Sequence, residues 1–235
     1  MKLSEAVRGV SGTLAADGEF SCIAFATEQE QSQFLTFLEK EKFLPALDNS
    51  KISCVLTTSA LAEKIPPHIK GVFLCDRPKA ALFEIHNRLA RHPDYVGASA
   101  ATVVGEGCSI SPLAAIDCEN VVIGDRVTIE PFVVIKGRVI IGNDVTIRSG
   151  AVIGCKGFSF SKDAQGQNVS VEDTARIIIE DHVEIFEQVA ISTGIFPWEE
   201  TRIGENTKVD AQCHIGHGAH IGRNCLLAEG SRCCG

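Results

Sequence analysis

The stretch VVIGDRVTIEPFVVIKGRVIIGNDVTIRSGAVIGC, residues 121–155, carries an isoleucine at every sixth position: Ile123, Ile129, Ile135, Ile141, Ile147 and Ile153. Upstream, Val104, Ile110 and Ile116 keep the same six-residue spacing, with one extra residue between Ile116 and Ile123. After an interruption the spacing resumes at Ile179, Ile185 and Ile191, passes over Pro197, and continues through Ile203, Val209, Ile215, Ile221 and Leu227. Of these 18 slots, 17 hold Ile, Leu or Val. The chain's hydrophobic content of 45% would put any apolar residue in only about eight of them.

A period of six fits neither the 3.6 of a helix nor the alternation of a hairpin meander. It fits a solenoid in which each hexad is one short strand plus a corner, and three hexads close a coil of about 18 residues. The aliphatic residue then points inward and stacks on its equivalent in the next coil. The position four later also turns inward, because side chains alternate along a strand. It holds Val127, Val133, Val139, Val145, Val183, Val189, Thr207, Cys213, Ala219 and Cys225. Three after the aliphatic, residues suited to left-handed corners recur: Gly107, Asp144, Gly150, Gly194, Asn206, Gly218, Asn224 and Gly230. The fold class expected for residues 101–235 is mainly β, a parallel β-helix with a loop excursion over 154–178. That excursion contains Phe158 and Phe160 within GFSF (157–160).

Residues 1–95 have a different texture. FSCIAFAT (20–27), KISCVLTT (51–58) and GVFLCD (71–76) read as strands, and LSEAVRGV (3–10) and PKAALFEIHNRLARH (78–92) as helices. A small α/β domain is expected, with HPDYVGASA (92–100) as the linker. The net charge of −8 over 235 residues supplies no basic footprint for nucleic acid. The N-terminus lacks a signal-like apolar core and no run of about 18 apolar residues spans a bilayer, so a cytoplasmic protein without a transmembrane segment is expected. Ten cysteines then read as reduced thiols, and none shows structural zinc spacing.

The segment VDAQCHIGHGAHIGRNCLL (209–227) holds three of the seven histidines, at 214, 217 and 220. Ile215 is inward, so His214 and His217 should face outward near a corner, where an imidazole can act as a general base. For His217, spacing alone favours a solvent-facing histidine without a role. His220 reads as a surface residue. Together with His182 these histidines also suggest three ligands of a metal site of the γ-carbonic anhydrase kind. However, His214 and His220 lie a hexad apart, on different faces of a three-sided coil, and no metal is expected.

The run HIGHGAHIGRNC (214–225) resembles the catalytic coil of the UDP-3-O-acylglucosamine N-acyltransferases, hexapeptide-repeat acyltransferases of lipid A biosynthesis. FLTFLEKEKFLPAL (34–47) resembles that family's uridine-binding stretch, its two aromatic positions matching Phe37 and Phe43. The resemblance implies a left-handed β-helix, a homotrimer, a UDP-sugar acceptor and acyl carrier protein as donor. No cofactor is implied beyond the acyl-carrier thioester or acyl-CoA as co-substrate. It implies His217 as base and, one coil further on, Gly235 as the backbone donor to the oxyanion. His214 would either support the site or lie beside it. Phe37, Phe43, Phe158 and Phe160 are candidates for substrate contact, with core packing of the small domain the alternative for Phe37 and Phe43 and anchoring of their own loop the alternative for Phe158 and Phe160. The sequence departs from the family pattern in two places. Ser192–Trp198 replaces an Asp-Arg-Gly stretch, and Lys40 stands where an Asn is usual. The family also continues for further coils beyond the point where this sequence ends. Other readings are an acetyl-CoA-dependent nucleotide-sugar acetyltransferase and a shortened, noncatalytic binding or assembly relative.

Overall fold

The computed structural model describes residues 1–163 and 165–234. They divide into two compact units, one of Met1–Tyr95 with Ser159–Glu172, the other of Val96–Phe158 with Asp173–Gly235.

The first unit is built on a five-stranded sheet, in the order β1-β5-β4-β3-β2. Its strands are β1 (Thr13–Ala16), β2 (Cys22–Ile23), β3 (Phe34–Leu38), β4 (Ile52–Thr57) and β5 (Gly71–Leu74). β1 runs antiparallel to β5 and the other pairs are parallel. Two strands lie where sequence reading placed none, β1 and β3, and FSCIAFAT contributes only the two residues of β2. The helix expected over 3–10 is the single turn α1 (Leu3–Ala6). The second helix, α2 (Pro78–Leu89), starts with proline, whose fixed φ suits the first helical position. The Glu39 carboxylate accepts from the Lys79 amide at 3.1 Å and so caps that end. α2 buries Ala81, Leu82, Phe83, Ile85, His86 and Leu89.

Residues 159–172 join this unit as a β-hairpin, Phe160–Lys162 against Asn168–Ser170. Its return strand is held by α2. Asn87 donates to Ser170 O at 2.8 Å and accepts from the Glu172 amide at 2.8 Å, while His86 Nε2 lies 2.8 Å from Glu172 O. The excursion expected over 154–178 is therefore narrower, because strands Val152–Cys155 and Arg176–Ile179 occupy its ends.

The second unit is a parallel β-helix with three six-stranded faces. The first face stacks Ile110, Ile129, Ile147, Ile185, Val209 and Leu227. The second stacks Ile116, Ile135, Ile153, Ile191, Ile215 and Cys233. The third stacks Val104, Ile123, Ile141, Ile179, Ile203 and Ile221. From Ile123 to Ile215 these side chains are at most 1% exposed, each contributing roughly 1.5–3 kcal/mol by leaving water. Cys233 takes the next aliphatic slot, a thiol acting as a small apolar filler.

Corner geometry is set by coil closure as much as by residue type. The left-handed φ recurs at Arg126, Phe132, His182, Gln188 and Gln212 as well as at the expected Asp144, Asn206 and Asn224. Gly194 is not among the left-handed corners, because it lies in an insertion. Side chains lace one corner from coil to coil. Asp125 Oδ1 accepts from the Glu106 amide at 2.8 Å, Asn143 Oδ1 from Asp125 at 2.9 Å, and Asp181 Oδ1 from Asn143 at 2.8 Å.

The spacing of paired strands locates two insertions. Neighbouring coils are ordinarily offset by 18 residues, as in Val134 beside Val152. Val139 pairs with Ile177, an offset of 38, so 20 extra residues leave between the second and third faces. In the next coil Ala190 pairs with His214 at an offset of 24, whereas Arg202 pairs with His220 at 18. Six residues are therefore inserted at the same corner. Pro197 is part of that insertion and is not a strand slot.

Candidate active site

The coil above the two insertions turns from the second face to the third through Gly216–Ala219, and His217 stands on that turn, half-buried. Gly218 follows in the left-handed conformation, φ +70°. Beneath this turn lies the six-residue insertion, whose loop is ordered by its own polar groups. Glu199 Oε2 accepts from the amides of Ile195 at 2.9 Å and Phe196 at 3.1 Å. The Phe196 ring, fully buried, stacks on Trp198 with centroids 5.9 Å apart.

His214 is exposed on the second face, and its Nε2 lies 3.2 Å from Ser192 Oγ, a hydrogen bond whose donor depends on the imidazole tautomer. Ser192 is only 4% exposed, so this hydroxyl fixes one nitrogen of a solvent-facing ring. His220 Nε2 donates to the Glu200 carbonyl at 3.2 Å. The Glu200 carboxyl is held below the usual range, chiefly by its hydrogen bond from Arg202 at 2.7 Å. Glu180 is also lowered, first by the amide of Glu205 and then by Arg202. Both carboxylates stay ionised and brace the third face.

His182 sits on a different corner with φ +60°, its Nδ1 3.9 Å from Asp144. Among the described residues no three His, Cys, Asp or Glu side chains converge in a way that could hold a metal ion. All ten cysteines are free thiols, and burial pushes Cys22, Cys54 and Cys75 up to about 11. Gly235 lies outside the described residues.

In the first unit, Phe37 on β3 is half-buried and packs edge-on to Phe25 at 6.4 Å; Phe25 in turn meets Phe83 edge-on at 6.4 Å. Phe43 is 55% exposed, with Lys42 Nζ 4.8 Å above its ring. A cleft of about 380 Å³ is lined by Phe83, Arg77, Asp76, Lys162 and Asp163 among others, and neither Phe37 nor Phe43 takes part in it. Phe160, 47% exposed, belongs to the first unit, whereas Phe158, 94% exposed, belongs to the second.

Two polar residues at the His217 corner escaped sequence reading, Ser192 and Thr201. The signal for Thr201 was present. It fills an inward slot that holds Val121, Val139 and Ile177 in the coils below.

Comparison with known proteins adds an independent observation. The bacterial transferase hexapeptide model (six repeats) matches residues 120–155 and 200–235. These repeats are those of the left-handed parallel β-helix. A UDP-3-O-acylglucosamine N-acyltransferase of Bradyrhizobium sp. (strain BTAi1) is 29% identical over 86% of this chain and 64% of its own length. The enzyme of the same name from Coxiella burnetii is 28% identical over 96% of this chain and 72% of its own. Another, from Bradyrhizobium sp. (strain ORS 278), reaches 44% identity over 89 residues, 38% of this chain and 24% of its own. The chain is a hexapeptide-repeat protein similar to the UDP-3-O-acylglucosamine N-acyltransferases along nearly all of its sequence.

Proposed function

We propose that this protein transfers an acyl group, of the 3-hydroxyacyl type, from a carrier-protein thioester to the 2-amino group of a UDP-glucosamine derivative. The observation that carries this is His217, a half-buried imidazole on a turn of a hexapeptide coil, in a chain similar to N-acyltransferases over 96% of its length. The amine nitrogen attacks the thioester carbonyl carbon, and His217 takes the proton the nitrogen must shed as the C–N bond forms. The tetrahedral oxyanion needs a backbone N–H, the role proposed for Gly235. Its collapse expels the carrier thiolate, which takes up a proton, and leaves the amide. The base and the amine supply all the proton movement in this scheme, so no cofactor is invoked.

The first unit is assigned nucleotide recognition, with the exposed Phe43 ring as a platform for uracil and Phe37 as a second candidate for contact with the base. Phe158 and Phe160 remain candidates for substrate contact on the strength of their exposure. Acyl carrier protein as donor, a homotrimeric assembly and a cytoplasmic setting belong to the same proposal. No helix among the described residues is long and apolar enough to cross a membrane.

The test is acyl transfer to UDP-glucosamine and its 3-O-acyl derivative from a series of acyl carrier protein thioesters, with acetyl-CoA alongside. N-acylation from the carrier thioesters is expected. Turnover with acetyl-CoA alone would replace this assignment with an acetyltransferase, and no turnover with any donor would favour a binding or assembly role.

A further inference from the structure

At the corner that carries the insertions, the left-handed Gly137 donates its amide to a side chain, Asp117 Oδ2, at 2.8 Å, whereas the other two corners of the coil share one backbone bond. The amide of the left-handed residue donates to a carbonyl in the coil below: Arg126 to Glu106, Asp144 to Asp125, His182 to Asn143, Asn206 to Asp181, Gln212 to Glu187, and Asn224 to Glu205. Gly218 is the left-handed residue of the His217 turn, and the corner below it has been replaced by the six-residue insertion. Its amide donates instead to the hydroxyl of Thr201, at 3.0 Å. The same Oγ1 donates its proton to Ser192 O at 2.8 Å, closing the base of the insertion. Ser192 is the residue whose own hydroxyl meets His214.

A fully buried hydroxyl in a column of Val121, Val139, Ile177 and Ala219 costs free energy unless both its hydrogen-bonding capacities are used, and here both are. Valine would fill the slot with the same shape. We infer that Thr201 is a positioning residue, a side-chain acceptor at the corner where the insertion lies. Through Gly218 it fixes the turn that aims His217, and through Ser192 it fixes the strand end that holds His214. This rests on the acyl-transfer role proposed for His217.

A control of matched chemistry exists one face away. Thr207, also fully buried, donates to Gly222 O at 2.7 Å and accepts from the Cys225 amide at 3.1 Å, at a corner without a candidate base. The experiment compares the parent, Thr201→Val, Thr201→Ser and Thr207→Val in steady-state acyl transfer, with hydrogen exchange at the Gly218 amide. Displacing a reacting group by a fraction of an ångström costs roughly 10- to 100-fold in rate. Thr201→Val is expected to lower kcat by that amount with KM within about twofold, and to expose the Gly218 amide. Thr201→Ser should restore both, and Thr207→Val should leave kcat at the parent value. Parental kcat in Thr201→Val, or an equal loss in Thr207→Val, overturns the inference while leaving acyl transfer intact. An inactive parent defeats the acyl-transfer assignment itself. In that case a protected Gly218 amide in Thr201→Val also defeats the positioning role, and an exposed one retains it as a structural role of the corner.

Discussion

Replacing His86 with leucine should remove a pH-dependent part of the first unit's stability. The ring is fully buried on α2, with Nδ1 3.0 Å from the Tyr95 hydroxyl and Nε2 2.8 Å from the Glu172 carbonyl. With Nε2 donating to that carbonyl, Nδ1 of the neutral ring accepts from Tyr95. Losing two such bonds at this buried site costs roughly 1–3 kcal/mol. Burial lowers the His86 pKa below its ordinary 6.5, the hydrogen bond to Glu172 O opposing it only in part. As pH falls below about 6.5 the unfolded chain takes up a proton that the folded ring refuses, so stability is full above that pH and declines below it. Each unit of depression is worth about 1.4 kcal/mol. The lowered carboxylates, Glu180 and Glu200 among them, lose their contribution only in the more acidic carboxylate range, which separates the two windows. Urea unfolding at half-unit steps from pH 7.5 to 5, with hydrogen exchange at Val169, measures both effects. The variant should be less stable at pH 7.5 and have a flatter profile. Parallel profiles for the two proteins would refute the assigned protonation state.

Gly154→Ala should destabilise the β-helix by about 2 kcal/mol or more, because φ is +88° and a Cβ would sit 1.9 Å from Lys136 O. Thermal melting reads this, and an unchanged melting temperature would contradict the geometry. Phe43→Ala should weaken UMP binding about tenfold by calorimetry, with the fold intact, since its exposed ring is the proposed platform for the base.

The β-helix was legible because its inward slots are occupied by the same few side chains at a fixed period, and from Ile123 to Ile215 each is buried in register. The Pro197 slot was misread for a definite reason. An insertion of six residues preserves a six-residue phase, so Ile191 and Ile203, consecutive inward residues of the coil, look like members of an unbroken series with one slot, Pro197, between them. The 20-residue insertion breaks the phase and was visible as an interruption. Corners at Phe132, Gln188 and Gln212 were not legible, because closing the coil imposes a left-handed φ on residues that do not favour it. The hairpin at 159–172 depends on His86 and Asn87, more than 80 residues earlier in the chain, and local patterning carries no record of such bonds. At the candidate site, the histidines were found because their residue type and spacing are unusual. Thr201 went unnoticed because threonine is ordinary in a strand, and its role depends on an acceptor missing from the coil below.

The most direct measurement is single-turnover acyl transfer from a 3-hydroxyacyl carrier protein to the UDP-glucosamine acceptor by the parent and by His217→Ala. Removal of a general base predicts a rate loss of roughly 10²–10⁴-fold, with the circular dichroism spectrum and unfolding midpoint unchanged. A folded His217→Ala protein that transfers the acyl group at the parental rate would contradict the assignment of His217 as the base.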